Sequence, residues 1–388
     1  MRVLVLGGDG YLGWPTAMYF AAKRNDVMIV DNGAKRQWEQ EVGGPPLWEI
    51  PTLQRRVRVW NALHKYKQIK MRFGDVTQYH FLCDKVFSVF KPDAVIHYAE
   101  QPSAPYSMGG VREATYTQFN NVIGTLNVIG AIQKYVPDAH LIKLGTMGEY
   151  GTPPIDIEEG YIDIEHKGRV YKNALYPKNP GSFYHLSKVH DSHNIKKACD
   201  WWGIRATDLN QGVVYGIDTD ETVIDQDLRT SFHYDGVFGT VINRFCVQAV
   251  AGVPLTVYGK GLQTRGFLNI KDTLQCIELA VNNPAEPGEF RVFNQFTEVF
   301  SVNQLATMVS AAADRFGIYT PIDSIENPRI ELEEHYYNAK NTSLLSLGLK
   351  PHLLTEDVLA NMIAKIKKDK HLIDPEIIYP TIKWKMDK

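Results

Sequence analysis

The chain has 388 residues, which is enough for two domains or for one large α/β unit with an appendage. It is 44% hydrophobic and 22% charged, with a formal net charge of −2 at pH 7, so it can bury an ample core and is expected to be globular. This charge balance excludes general electrostatic binding to nucleic acid or to an anionic membrane. Any bound anion must therefore be contacted by a few specifically positioned arginines.

The cysteines and the apolar runs favour a reducing compartment without a membrane span. No cysteine pair has the spacing of a metal site, so small buried thiols and no metal are expected at Cys83, Cys199, Cys246 and Cys276. No run reaches the roughly 18 apolar residues of a membrane helix, and the apolar start is too short for a secretory signal. We therefore expect a cytoplasmic protein, or a soluble organellar one after processing.

The first two hundred residues alternate short β-branched runs with longer amphipathic runs. This alternation is typical of βαβ units and predicts an α/β fold with a doubly wound parallel Rossmann sheet and helices on both faces. Ligands of such a sheet bind beyond the carboxyl ends of its strands. Strands are predicted over 2–7, 26–31, 69–75, 93–99, 140–146 and 204–211, and helices over 11–23, 78–90, 120–135 and through "SFYHLSKVHDSHN" at 182–194.

The pattern loosens in the second half of the chain. A loop and then a helix are expected over 232–252, followed by a short strand over 255–259 and a polar helical region over 321–388. A smaller α/β domain that closes over the sheet and binds the substrate fits this pattern. We predict the Rossmann domain at 1–215 and the smaller domain at 216–388, with a helix near 266–282 that returns to the first domain.

The segment "GGDGYLG" follows the first strand and opens the first helix. Glycines there allow a tight turn and let a pyrophosphate approach free N–H groups at the helix N-terminus. Asp31 ends the second strand eighteen residues beyond Gly13, close to the spacing of about 20 that is typical of a ribose-binding carboxylate. Such a carboxylate repels a 2′-phosphate, so the pattern indicates NAD rather than NADP, although Lys35 and Arg36 lie nearby. Asp75 is a candidate for the adenine edge.

Tyr184 and Lys188 form the pattern Y-x-x-x-K, and residues four apart share one face of a helix. An ammonium beside a phenol favours the phenolate, so we expect the pKa of Tyr184 to fall from about 10 toward neutrality. The phenolate can then accept a proton from a sugar hydroxyl while hydride leaves the same carbon for NAD. Lys188 can also hold the nicotinamide ribose, and Thr146 supplies a hydroxyl that steers the substrate oxygen.

These motifs carry a family resemblance. The glycine segment, "GTMGEYG", "YHLSK" and "NNVIGT" with Asn121 resemble the extended short-chain dehydrogenase/reductase superfamily, which works on nucleotide sugars. More narrowly, "SAPYSM", "DIEEGYI", "GIRATDLNQGVVYG", "YDGVFGT", "QTRGFL" and "EEHYYNAK" resemble the UDP-sulfoquinovose synthase family, which forms the headgroup of sulfolipids. The matching stretches span nearly the whole chain. One departure is Pro102, where that family usually has arginine.

The resemblance implies the reaction and its site. UDP-glucose and sulfite would give UDP-sulfoquinovose with recycled NAD, and Thr146, Tyr184 and Lys188 fall on the family's catalytic positions. A homodimer or a higher homo-oligomer is expected. The predicted cofactor contacts are Gly7, Gly10, Tyr11, Leu12, Gly13, Asp31, Asn32, Lys35, Arg36, Asp75, Val76, Tyr98, Ala99, Glu100, Asn121, Tyr184, Lys188 and Val214.

The implied course runs through 4-keto and 4-keto-5,6-ene sugars. Oxidation at C4 acidifies the hydrogen on C5, and loss of the C6 hydroxyl then leaves an electrophile to which sulfite adds. Dehydratases of the superfamily carry an Asp-Glu pair after the threonine, whereas this chain has Met147 and Gly148, so we expect spare room near C6. His185 and Glu149 remain as candidates for proton handling there.

Cations for the UDP diphosphate are expected in the second domain, because a planar guanidinium suits phosphate oxygens. The resemblance places Arg265 and Arg329 on nucleotide-sugar positions, and Arg244 is a third candidate. Gln211 lies past the sixth strand, where it can reach the sugar. Thr146 and Tyr184 are expected to touch the substrate as well.

Two other functions remain open from the residues alone. The first is another nucleotide-sugar reaction, by an NAD-dependent 4-epimerase or 4,6-dehydratase. The second is a non-enzymatic dinucleotide-binding scaffold with a regulatory role. Such scaffolds commonly lose the tyrosine or the lysine, and this chain retains both. Neither nucleic acid nor a membrane is expected as a partner.

Overall fold

A computed structural model describes residues 1–332 and 334–384. The strands, numbered along this part of the chain, are β1 (Arg2–Leu6), β2 (Asp26–Asp31), β3 (Ile69–Phe73), β4 (Ala94–His97), β5 (His140–Thr146), β6 (Tyr161–His166), β7 (Arg169–Leu175), β8 (Arg205–Gln211), β9 (Val213–Tyr215), β10 (Leu255–Tyr258), β11 (Thr264–Asn269), β12 (Phe290–Gln295), β13 (Glu298–Ser301) and β14 (Ile322–Ile325). Helices cover Gly13–Ala22, Ala34–Val42, Leu53–Leu63, 79–90, Ala104–Ser107, 111–135, Phe183–Trp202, Val241–Ala251, Ile270–Asn282, Val302–Asp314, Thr342–Ser346 and Glu356–Lys368.

A seven-stranded parallel sheet forms the centre of the molecule. Its order is β12-β8-β5-β4-β1-β2-β3, and each neighbouring pair is parallel. The predicted doubly wound Rossmann sheet is therefore confirmed. Because the chain leaves β1 toward β2 on one side and returns to β4 on the other, a crevice opens at the carboxyl ends of β1 and β4.

The two faces of the sheet bury alternate residues of each strand, as a pleated strand requires. Val3 and Val5 share one core with the helices Gly13–Ala22 and Ile270–Asn282. The intervening leucines of β1 share the opposite core with the helix 79–90. The helix Ile270–Asn282, from the second half of the chain, thus packs on the large sheet. It begins at Ile270 and not near 266 because the preceding residues form β11. The division at 215 and 216 stays a prediction.

A second core lies beyond the sheet. The helices Val241–Ala251, Val302–Asp314 and Glu356–Lys368 pack together there. The small sheet β9-β11-β13 and the pair β10-β14 flank them. The polar region over 321–388 is only partly helical where it is described, since β14 and an extended segment precede the helix Thr342–Ser346.

Several elements were not predicted from the sequence, among them the edge strand β12 of the central sheet and the helix Val302–Asp314. The helices Ala34–Val42 and Leu53–Leu63 connect β2 to β3, and the hairpin of β6 and β7 precedes the helix Phe183–Trp202. The apolar residues of the first of these helices, Ala34, Trp38 and Val42, are spaced four apart, but only Trp38 is buried, so the apolar stripe is short. All four cysteines are buried and free, as predicted. No helix of the described residues is long and apolar enough to cross a membrane.

Candidate active site

A cleft of about 860 Å³ opens at the carboxyl ends of the central strands, between the large sheet and the second core. Most of the predicted site residues line this cleft. They are Gly7, Gly10, Tyr11, Leu12, Gly13, Asp31, Asn32, Lys35, Val76, Tyr98, Ala99, Glu100, Thr146, Tyr184, His185, Gln211, Val214, Arg244, Arg265 and Arg329.

The glycine loop after β1 has a shape that other residues would disrupt. Gly7 has φ +85°, and a Cβ there would overlap the backbone of Tyr98 and Ala99. A Cβ on Gly13 would overlap the carbonyl of Gly7, whereas a Cβ on Gly10 would meet only that carbonyl, at 3.5 Å. The loop therefore brings backbone N–H groups at a helix N-terminus to the cleft wall, and this arrangement fits a dinucleotide pyrophosphate.

Asp31 ends β2 with its carboxylate held in place. The backbone N–H groups of Asp9 and Gly33 donate to it at 2.9 Å and 2.7 Å. Burial and the neighbouring Asp9 raise the pKa of Asp31 to about 6. A fixed acceptor beside the glycine loop fits the adenosine ribose hydroxyls.

The two basic residues near Asp31 are already engaged. Arg36 lies outside the cleft wall, and its Nε donates to the Asp9 carboxylate at 2.6 Å. The buried Arg56 pairs with the same carboxylate. Lys35 lines the cleft, but its ammonium bonds Glu39 Oε1 at 2.9 Å. Neither cation is free to meet a 2′-phosphate, which agrees with the expected preference for NAD.

Two other predicted cofactor contacts lie behind the cleft wall. Asp75 accepts a hydrogen bond from Asn32 Nδ2 at 2.9 Å and orients that residue. Asn121 is fully buried, and its Nδ2 donates to Ser187 Oγ at 2.9 Å while its Oδ1 accepts from the Gln101 N–H at 2.8 Å. Asn121 therefore links the chain after β4 to the helix Phe183–Trp202 and does not line the cleft.

The helix Phe183–Trp202 places the tyrosine at the cleft and the lysine behind it. Ser182 caps this helix by accepting the His185 N–H at 3.2 Å. The Lys188 ammonium lies 5.7 Å from the centre of the Tyr184 ring, donates to the Leu144 carbonyl at 2.7 Å and pairs with the buried Glu100 carboxylate. The predicted Y-x-x-x-K geometry is thus present.

The expected fall in the pKa of Tyr184 is not found in the protein alone. Burial raises the pKa of Tyr184 above its ordinary value, and the lowering effect of Lys188 is smaller. Glu100 opposes that effect because its carboxylate neutralises the ammonium. The expectation was wrong because it counted the lysine and left out the burial of the phenol and the carboxylate paired with the lysine.

Thr146 ends β5, and its hydroxyl faces the cleft. Its Oγ1 accepts the Gly148 N–H at 3.1 Å, which leaves the hydroxyl proton available to a substrate oxygen. The carbonyl end of β5 pairs with β8, where Gln211 is the register partner of Thr146. The Gln211 amide also reaches the cleft, although its Nε2 is shared with Gln295 Oε1 at 3.1 Å.

Glu149 is not available for proton handling at the sugar. Its side chain is fully buried and pairs with Lys143, 3.3 Å away, and with Lys178. Burial acts to raise the pKa of Glu149, but these two ammonium groups outweigh it and hold the pKa below its usual range. The carboxylate also accepts the Thr146 N–H at 3.3 Å, which closes a capping box across the turn Met147–Glu149.

The space beside Gly148 is filled by His185. A Cβ on Gly148 would overlap the imidazole Nε2, so the ring occupies the volume that a side chain at 148 would need. Its Nδ1 lies 3.0 Å from Ser182 Oγ. Burial lowers the pKa of His185 to about 3, assisted by Arg329 and Arg265, so the imidazole is neutral near pH 7. The volume that glycine frees at position 148 is therefore occupied, and the prediction that His185 handles protons near C6 stays a prediction.

Three arginines from the second half of the chain converge on the cleft. Arg244 is buried, its guanidinium bonds the Tyr258 hydroxyl at 2.8 Å, and its Nε has no hydrogen-bond partner among the described residues. Arg265 is half-buried and pairs with Glu331 at 2.7 Å. Arg329 lies close enough to act on His185 electrostatically. A buried guanidinium with an unused donor fits an anionic ligand such as a diphosphate.

Sequence reasoning missed several residues of the site. The cleft wall also contains aromatic and imidazole groups at Trp38, His233 and Phe238. Lys143 and Lys178, which hold Glu149, come from a buried strand and a loop with no local motif. The sequence did contain a signal for the position of Glu149, because Thr146 and Glu149 have the T-x-x-E spacing of a capping box. That pattern predicts the inward turn of Glu149.

Comparison with known proteins identifies the family of the chain. The chain matches the family model described as "NAD dependent epimerase/dehydratase family" over residues 3–294. It is 55% identical to a chloroplastic UDP-sulfoquinovose synthase of Spinacia oleracea over 99% of this chain and 79% of that protein. It is 43% identical to a UDP-sulfoquinovose synthase of Sulfolobus acidocaldarius over 99% of this chain and 98% of that protein.

A solved structure shows the same fold at low identity. The UDP-glucose 4-epimerase of Bifidobacterium longum, in complex with NAD+ and UDP, superposes with a TM-score of 0.71 at 19% identity, covering 96% of this chain and 100% of that one. The family model covers well over half of the chain, and both synthases match almost all of it. The chain therefore belongs to the NAD dependent epimerase/dehydratase family and, within it, to the UDP-sulfoquinovose synthases.

Proposed function

We propose that this NAD-dependent enzyme converts UDP-glucose and sulfite to UDP-sulfoquinovose, a sulfonated nucleotide sugar suited to a sulfolipid headgroup. The observation that carries the proposal is the pairing of Gly148 with His185. Where a dehydratase needs two carboxyl groups to complete its reaction, this cleft has a neutral imidazole beside Met147 and near two arginines. Such surroundings suit an incoming sulfur anion.

Binding is assigned to the two sides of the cleft. The glycine loop, Asp31 and Lys188 would hold NAD, which when bound supplies the chemistry of taking a hydride from C4 of the sugar and returning it. Arg244, Arg265 and Arg329 would hold the diphosphate and fix the glucose toward β5. Fixing both ligands in one geometry supplies much of the rate, because orientation is then settled before reaction.

Proton transfer at O4 is assigned to Tyr184. The Thr146 hydroxyl donates to the C4 oxygen and orients it, while the Tyr184 oxygen takes the O4 proton as hydride leaves C4. A bound nicotinamide would add positive charge, and this charge would favour the phenolate that burial disfavours in the protein alone. At the end of the cycle Tyr184 returns the proton to O4.

The steps at C5 and C6 belong to the far end of the cleft. The 4-keto sugar loses its C5 proton and its C6 hydroxyl, which leaves as water once protonated. Sulfite then forms a carbon–sulfur bond at C6, and C5 regains a proton. His185 is assigned the transfer of the C5 proton: its neutral imidazole, with Nδ1 held by Ser182, can accept the proton from C5 and, once protonated, donate it to the C6 hydroxyl.

The rival reactions are separated by product analysis with UDP-glucose in the absence of sulfite. A 4-epimerase would release UDP-galactose, and a 4,6-dehydratase would accumulate the 6-deoxy-4-keto sugar. The proposed enzyme should instead exchange the C5 hydrogen slowly with solvent deuterium and release little of either product. Rapid formation of the deoxy sugar together with indifference to sulfite would replace this proposal by the dehydratase.

We expect NAD to co-purify with the protein. Hydride leaves and returns to one carbon, so release of the dinucleotide serves no step. Denaturing the purified protein and assaying the supernatant should give NAD in near-stoichiometric amount, with little NADP because Arg36 and Lys35 are engaged. A supernatant rich in NADP, or turnover that requires fresh NAD, would contradict the cofactor assignment.

A homodimer is proposed through an apolar stripe on two neighbouring helices. Phe119, Ile123 and Leu126 are 55%, 37% and 40% exposed at helical spacing, and Phe183 on the adjacent helix is 44% exposed. A second copy related by a two-fold axis would cover both helices in one four-helix contact. None of these four side chains lines the cleft, although Phe183 directly precedes Tyr184, so each copy would keep its own site.

Ile123→Glu should shift the protein from dimer to monomer at micromolar concentration, because it places a carboxylate inside the proposed contact. Light scattering coupled to size exclusion measures the mass. Tyr66→Glu is the control, since Tyr66 is exposed far along the chain from this stripe. A monomeric unaltered protein, or a variant that remains dimeric, would exclude this interface.

The compartment stays a proposal. The spinach relative is named chloroplastic, and this chain is expected in the cytoplasm or in a soluble organellar compartment after processing. Four buried free thiols support a reducing environment.

A further inference from the structure

A cluster of buried charges lies behind the reacting side chains, and the reaction proposed above makes no direct use of it. Its members come from five different parts of the chain and are almost fully buried. We call them the buried charge cluster: Lys143 on β5, Glu149 in the following turn, Lys178 before the helix, Ser192 on the helix Phe183–Trp202, and Asp208 on β8.

Lys143 joins two strands and the helix that carries the tyrosine. It is the register partner of Asp208 across β5 and β8, and its ammonium lies 3.5 Å from the Asp208 carboxylate. The same ammonium donates to the main-chain carbonyl of Lys188 at 3.2 Å. Ser192, one turn further along the helix, lies 2.6 Å from the Asp208 carboxylate. The helix is thus fixed to the sheet by polar contacts at the level of Lys188.

Glu149 joins the cluster to the threonine. Its carboxylate accepts the Thr146 N–H at 3.3 Å and the Ser192 hydroxyl at 3.0 Å, and it pairs with Lys143. Lys178 binds the same carboxylate from the segment that leads to Asn179, which lines the cleft. One carboxylate therefore links the turn at Thr146, the helix and one edge of the cleft.

We infer that Lys143 and Glu149 are positioning residues, which hold the Thr146 hydroxyl and the Tyr184 phenol at the separation that lets both meet one substrate oxygen. The inference rests on the proposed function and deepens it. Buried ion pairs are seldom more stable than apolar side chains of the same volume, so a cluster of this size is explained better by geometry than by stability. Burial disfavours a charged lysine, but Asp208 and Glu149 outweigh it and raise the pKa of Lys143, so the ion pair of Lys143 with Glu149 is formed.

The test compares Glu149→Leu with Glu149→Gln in the full-length enzyme. Hydride transfer is followed as NADH absorbance after addition of UDP-glucose alone, and UDP-glucose affinity is measured by calorimetry. Glu149→Leu should slow hydride transfer about 10²-fold with little change in affinity, since an error near 1 Å in position costs about that much. Glu149→Gln keeps an oxygen that can accept the Thr146 N–H, so it should recover about tenfold of the loss. Lys143→Met should behave like Glu149→Leu.

The control is Leu359→Ala, which removes a buried side chain from the second core. Rates are compared at a temperature well below the melting temperature of each variant. A purely structural cluster predicts equal rates per folded molecule in all variants, and that result would overturn the inference.

Hydrogen exchange of the peptide containing Thr146 gives a second readout, with faster exchange expected in Glu149→Leu and no change in Leu359→Ala. Where Glu149→Leu fails to fold, Glu149→Gln alone decides: hydride transfer slowed about tenfold at native stability, with unchanged UDP-glucose affinity, supports the inference, and an unaltered rate overturns it.

This result is independent of sulfite. The measured step needs only UDP-glucose and NAD, so an enzyme that ignored sulfite would refute the proposed overall reaction and leave the positioning test intact.

Discussion

Tyr184→Phe should reduce hydride transfer from UDP-glucose by about 10²–10⁴-fold, the usual effect of removing a general base. The change deletes one oxygen at the cleft wall and leaves the ring, the helix cap at Ser182 and the three arginines in place. UDP-glucose should therefore bind with nearly unchanged affinity. Absorbance of NADH in a stopped-flow instrument and calorimetric titration measure the two quantities separately.

Tyr171→Phe is the matched control, because Tyr171 is exposed on the β6–β7 hairpin. It should leave both quantities unchanged. Arg265→Ala should have the reverse effect. UDP-glucose should bind more weakly because phosphate contacts are lost, whereas hydride transfer from bound UDP-glucose should persist. Near-normal hydride transfer in Tyr184→Phe would remove Tyr184 from the catalytic assignment.

Gly148→Ala should stop formation of the carbon–sulfur bond while hydride transfer at C4 largely persists. The new methyl group requires the volume of the His185 imidazole, so the ring must leave its place near C6. Loss of a positioned proton donor typically costs about 10²–10⁴ in rate, and the cost should fall on the elimination at C5 and C6. Single-turnover product analysis with sulfite separates this step from the C4 oxidation.

Gly181→Ala controls for the added methyl group. Gly181 also lines the cleft, but a Cβ there meets no atom within 4 Å. It should keep sulfonate formation. If Gly148→Ala formed UDP-sulfoquinovose as fast as the unaltered enzyme, His185 would have no part in the chemistry at C6. The same overlap applies to the double variant Met147→Asp with Gly148→Glu. Its glutamate side chain should displace His185, whatever dehydratase chemistry the two carboxylates introduce.

The sheet and the cofactor side of the cleft could be predicted because their signals are local. The glycine loop, the strand-end Asp31 and the Y-x-x-x-K helix each depend on residues a few positions apart, where backbone geometry fixes the relation. The helix Ala34–Val42 gave only a weak signal, since its apolar residues Ala34, Trp38 and Val42 are spaced four apart but are just three positions in a polar segment.

The electrostatics of the site could not be predicted, because they depend on partners distant in sequence. Glu100 neutralises Lys188 from another strand end, so the pKa of Tyr184 moves upward with burial. Glu149 is drawn inward by Lys143 and Lys178. The filled space beside Gly148 likewise depends on the orientation of the His185 ring, which the order of residues does not specify.

The most direct test of the proposed reaction is mass spectrometry of the product formed by the purified enzyme from UDP-glucose, NAD and sulfite. The proposal predicts a nucleotide sugar that carries a sulfonate at C6, formed only when sulfite is present and without net consumption of NAD. A product that lacks sulfur, whether UDP-galactose or a 6-deoxy-4-keto sugar, formed at the same rate with and without sulfite, would contradict it.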